Sequence, residues 1–136
     1  MAKAGSNNGY RGGPLPAHCP PSDAKDATDG IYLRLVVGNP CTLDDFRSGH
    51  AEGRRKPKSC DDCTWMASVW LDSTAPERLA DLAKLPNLSD RKFVVHVAVD
   101  STCGKVKPHK KDKEHLSFWM RESFEPHKAV TKIVAL

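Results

Sequence analysis

The chain has 136 residues, 39% of them hydrophobic and 28% charged, with a formal net charge of +4 at pH 7. That length suits one domain, and no stretch approaches the roughly 18 uninterrupted apolar residues of a membrane-crossing helix. Collagen, coiled coil and long repeat arrays are excluded as well, while the mild basic balance permits a nucleic-acid or phosphate partner without requiring one.

The first residues, MAKAGSNNGYRGG, carry no apolar signal core, and the 5 cysteines (Cys19, Cys41, Cys60, Cys63, Cys103) make an odd set. Reduced thiols in a cytoplasmic protein are the expectation. Residues 1–29 hold Gly5, Gly9, Gly12, Gly13, Pro14, Pro16, Pro20 and Pro21 and almost no large apolar side chain. Such a segment buries too little to offset its ordering entropy, so a flexible arm is expected there, its LPAHCPP part able to lie extended against a domain over 30–136.

Residues 31–37, IYLRLVV, read as a strand closed by Gly38, Asn39 and Pro40. Alternation sets Ile31, Leu33, Leu35 and Val37 on one face and Tyr32, Arg34 and Val36 on the other. Thr42 to Phe46 reads as a short helix capped by Thr42, with Asp44 and Asp45 at its positive end. Residues 47–63 are polar and charged, a long loop. Residues 64–71, TWMASVWL, form a strand apolar on both sides, hence covered on both faces.

Thr74-Ala-Pro-Glu77 reads as a helix start, with Thr74 the cap and Glu77 completing a capping box. Leu79, Leu82, Ala83 and Leu85 form its apolar stripe, and Pro86 stops it. Residues 92–99, KFVVHVAV, are the clearest strand. A lysine-rich loop follows, then strands over 115–120 and 129–136. The expectation is an α+β domain, a mixed or mostly antiparallel sheet of about five strands with two helices.

Cys60 and Cys63 have the spacing of half a zinc site, which His50, or His18 with Cys19, would complete. Two ordinary loop thiols are the alternative, and Asp61 and Asp62 argue against a redox pair. The basic runs are Arg54-Arg55-Lys56-Pro57-Lys58 and Lys105 to Lys113, the latter including Lys110 and Lys111. They offer cations for nucleic acid or an acidic protein partner, or else simply form solvated loops.

Arg34 stands mid-strand between leucines and must face either water or an anion, whose phosphate or carboxylate its planar donors could grip. His96 reads as a core histidine, and His115 as a residue that could act as acid or base. Glu122 and Glu125 are spaced to work as a pair if they line a pocket. No P-loop, GxGxxG, GxSxG or HExxH occurs.

The succession LPAHCPP, IYLRLV, NPCTLDDFRS, ASVWLD and HLSFW resembles a group of small stand-alone bacterial proteins of uncharacterised function. In element order the chain is more loosely similar to the ADP-ribosyltransferase superfamily: a strand with Arg34, a strand with Ser68, then the helix after Thr74. That resemblance implies binding or use of a dinucleotide such as NAD. Arg34 would grip its phosphate with Tyr32 beside it, Ser68 would brace a ribose, and Glu122 or Glu125 would be the carboxylate. The alternative is a non-enzymatic interaction module working through its basic loops, with or without a stabilising zinc.

Overall fold

The computed structural model describes residues 9–10, 22–46 and 67–136. Their centre is one 7-stranded sheet in the order β1-β5-β6-β3-β2-β4-β7. The strands are β1 (Lys25–Asp26), β2 (Gly30–Val36), β3 (Ala67–Leu71), β4 (Phe93–Val99), β5 (Gly104–Pro108), β6 (His115–Met120) and β7 (Val130–Ala135). Every ladder between them is antiparallel. One helix, α1 (Pro76–Leu82), and short 3-10 turns at Leu43–Phe46, Pro86–Leu88 and Pro126–Lys128 complete the set.

Alternation along the strands builds two apolar layers. Tyr32, Val36, Val69, Val95, Val97, Leu116, Phe118 and Met120 form the larger one, joined by Phe46 from the 43–46 turn and by Phe124. Leu33, Leu35, Trp70 and Val94 form the other, closed by Leu79 of α1 with Leu82 and Leu88. Burying a side chain such as Leu79 contributes about 2 kcal/mol, which is why a helix this short is held at all.

The architecture agrees with an α+β, mostly antiparallel expectation but differs in its counts: the described residues hold seven strands and one α-helix, not five and two. The expected helix after Thr42 is a single 3-10 turn. Asp45 folds its carboxylate back onto the backbone amides of Thr42, at 2.8 Å, and Val37, at 3.1 Å. Those two bonds tie the turn to the end of β2.

The lysine-rich stretch is the second departure. Its first part is a strand, because Val106 turns to Phe118 and the larger core while Lys105 and Lys107 share the other side. Those two lysines pair with Asp26 and Asp23. Lysine is no obstacle to an outer strand when its stem lies along the sheet and its ammonium stays wet.

Of the segment expected as an arm, Lys25 and Asp26 pair with β5, and Tyr10 is buried beneath the Arg121 guanidinium in a bridge to Arg121. Thr74 is not the helix cap. Ala75 takes that position without a side-chain hydrogen bond, while the Thr74 amide closes a turn onto the Leu71 carbonyl. That turn buries the Thr74 hydroxyl, which has no partner among the described residues. Leu85, expected on the apolar stripe, lies past the helix end and is exposed.

Candidate functional site

Arg34 faces inward, on the same side of β2 as Tyr32 and Val36, and is only 6% exposed. Its Nε donates to the Asp45 carbonyl at 2.8 Å, and its guanidinium carbon lies 5.7 Å from the Phe46 ring centre. One group it meets is therefore a backbone carbonyl, on a residue whose carboxylate is itself held by two amides. Tyr32 is buried edge-on against Phe118. Ser68 lies opposite Ser117 in the β3–β6 ladder.

Glu122 and Glu125 are exposed, and Glu125 pairs with Lys128 at 3.3 Å. The 43–46 turn, to which Arg34 is bonded, packs against the 126–128 turn just after Glu125. His50, Arg54, Arg55, Cys60 and Cys63 lie outside the described residues, as do His18 and Cys19. Among the described residues no group of three or more His, Cys, Asp or Glu side chains stands close enough to hold a metal ion.

A denser cluster sits on the helix side of the sheet, at the start of β6. The β5–β6 pairing turns the chain so that the His109 amide donates to the His115 carbonyl at 2.9 Å. The two imidazoles then stack, with centres 3.8 Å apart, and His115 stacks in turn on Trp70 at 4.1 Å and 8°. Ser117 Oγ lies 3.2 Å from His109 Nε2. Arg78, from α1, lies over the Trp70 ring, its guanidinium carbon 5.1 Å from the ring centre.

Arg78 also gathers the acidic residues of the β5–β6 connection. It donates to Glu114 at 2.8 Å and to Asp112, while Ser73 donates to Glu114 at 3.2 Å. Two carboxylates are thereby drawn toward the helix. Lys110, Lys111 and Lys113 remain exposed at the tip, and none of them enters an ion pair among the described residues. In sequence Asp112 and Glu114 dilute this basic run; in space they are directed elsewhere.

Burial, then the neighbouring His109 and Arg78, push the His115 pKa down to about 4; burial also lowers that of His109. Both are neutral near pH 7, which removes His115 as a proton donor there. The unfolded chain holds its His115 proton up to about 6.5, so between about 6.5 and 4 it binds more protons than the folded one. Stability from this stack is complete above that window and declines as pH falls through it. Urea unfolding at pH 7 and pH 5 checks this: the midpoint should drop more for the native chain than for His115→Phe, which keeps a stacking ring without the titration.

Sequence reading missed His109, Trp70 and Arg78 as one unit. The available signal was two histidines flanking a polar turn, at 109 and 115, which a hairpin brings face to face. No protein-family model, curated protein or solved structure matches this chain.

Proposed function

We propose that this protein is a binding module for single-stranded nucleic acid, with the β5–β6 connection as its contact surface. The observation that carries this reading is the sorting of charge. Arg78 and Ser73 hold Asp112 and Glu114, leaving Lys110, Lys111 and Lys113 presented together to solvent. Clustered lysines track a phosphate backbone through counterion release. The half-exposed His109 ring beside them, backed by His115 and Trp70, is a platform of the kind on which bases stack.

Fluorescence anisotropy with a labelled single-stranded oligonucleotide, titrated with salt, tests the reading. Each phosphate contact in a single strand contributes about 0.7 to the slope of log affinity against log salt. Replacing Lys110, Lys111 and Lys113 by glutamine should therefore weaken binding and reduce that slope by about 2. Undetectable binding at low salt, or a slope unchanged by the triple substitution, would overturn it. Binding of polyglutamate in place of the oligonucleotide would point instead to an acidic protein partner.

A second reading, ADP-ribosyltransferase-like use of NAD, draws on the packing of the Arg34-bound turn against the turn after Glu125. Arg34 itself argues against it: its Nε is bonded to the Asp45 carbonyl and its side chain is buried, so a phosphate would have to displace the 43–46 turn. Heat on mixing with NAD, or release of nicotinamide, would restore this reading.

A further inference from the structure

The two edges of the sheet are unlike. β1 is 2 residues long, and the carboxylates of Asp26 and Asp23 pair with Lys105 and Lys107 of the adjoining strand. An edge so short and so charged offers little to another strand. β7 is 6 residues long, rich in β-branched side chains, and pairs with β4 on one side. Its Val134 and the adjoining Leu136 are 40% and 47% exposed.

The direction of the β7 amides follows from one bond. The Leu136 amide donates to the Lys92 carbonyl at 2.9 Å, toward β4, and Val134 lies opposite Val94 in the same ladder. Backbone groups alternate along a strand, so Ile133 and Ala135 direct theirs outward, away from the sheet.

We propose that β7 pairs antiparallel with β7 of a second copy of this chain, about a two-fold axis through Val134. In that register Ile133 faces the second copy's Ala135, and symmetry repeats the pair. Both outward amides and both outward carbonyls are then used. Val134 meets its own mate in a non-hydrogen-bonded pair, where side chains approach most closely. Leu136 lies opposite Lys132, so the exposed apolar residues cover each other and the lysine stem.

Charge selects this register over its neighbour. Lys132 is the only charged residue of the strand, and an axis through Lys132 would oppose two ammonium groups. An axis through Ile133 would instead rely on Thr131, where the β4–β7 ladder is irregular next to the His96/Val97 shift. Because the other edge is blunt, the pairing closes as a dimer and does not propagate.

Cysteine cross-linking gives the test. Opposed residues of a non-hydrogen-bonded pair have Cα atoms about 4.5 Å apart, within disulfide range. Oxidised Val134→Cys should run as a covalent dimer above the background of the native chain, whereas Lys132→Cys should not. Sedimentation equilibrium of the native chain should show a reversible dimer, which Val134→Lys converts to monomer with an unchanged circular dichroism spectrum. A native chain monomeric at its highest soluble concentration would overturn the proposal. A dimer indifferent to Val134→Lys, or equal cross-linking at 132 and 134, would do so too.

Discussion

Gly104→Ala should abolish the native sheet around β5, at a cost of about 4 kcal/mol or more. Gly104 has φ +153°, and a Cβ there would stand 2.1 Å from the Trp119 carbonyl oxygen and 3.1 Å from the Met120 Cα. Neither neighbour can yield cheaply. Trp119 and Met120 are buried in β6, and the Gly104 carbonyl is itself bonded to the Ala27 amide at 2.9 Å. Close-packed interiors transmit such a displacement and do not absorb it. Against a total stability of about 5–15 kcal/mol for a domain of this size, a loss of that order removes a large share of the margin. Gly30→Ala is the matched control. It shares φ +153° but meets no atom within 4 Å, so only backbone strain of about 1–3 kcal/mol is expected. Urea unfolding followed by Trp fluorescence separates the two; equal effects would show that dihedral strain, not the Trp119 backbone, sets the cost.

Arg34→Met should destabilise the fold by about 2–4 kcal/mol, the range for removing one partner of a buried charged hydrogen bond. Methionine keeps much of the stem's apolar volume and deletes the guanidinium. It leaves the Asp45 carbonyl without its Nε donor and the Phe46 ring without its cation. The effect should be largest in the 43–46 turn, visible as faster amide exchange at Val37 and Thr42, whose amides depend on the Asp45 carboxylate. Arg34→Lys restores the charge but not the planar donor at that position, so it should recover only part of the loss. A Met variant within 0.5 kcal/mol of the native chain, well inside the ordinary range for surface substitutions, would mean that Arg34 is not the latch of this turn.

Local pattern carried a definite part of the structure. The alternation in residues 67–71 was sufficient to set Val69 and Trp70 on opposite faces of their strand, and they lie in different apolar layers. That in residues 31–36 was also sufficient to place Tyr32 and Arg34 on one face of their strand, because a side-chain period of two is a property of the extended backbone alone. A guanidinium between leucines announced a group that must face water or find a partner. Which of the two it does depended on Asp45, eleven residues away along the chain, bending back to offer its carbonyl.

The remainder has no local signature. Gly104–Pro108 reads as loop while its lysines are counted as solvated. It becomes a strand because β6 offers Phe118 opposite Val106 and nearby aspartates receive the ammonium groups. Thr74 has the composition of a cap but spends its amide on the β3 turn, which carries the hydroxyl inward. Composition and periodicity determined the fold class, the main strands and the two-sided burial of the sheet, all of which arise within a few residues. Tertiary structure decided the strand order, the destination of Arg34, the stacking of His109 on His115 and the separation of Asp112 and Glu114 from the lysines beside them. Those features join groups from separate elements (a turn that bends back onto β2, the two ends of the β5–β6 connection, and α1), and a period read within one element does not specify where separate elements meet.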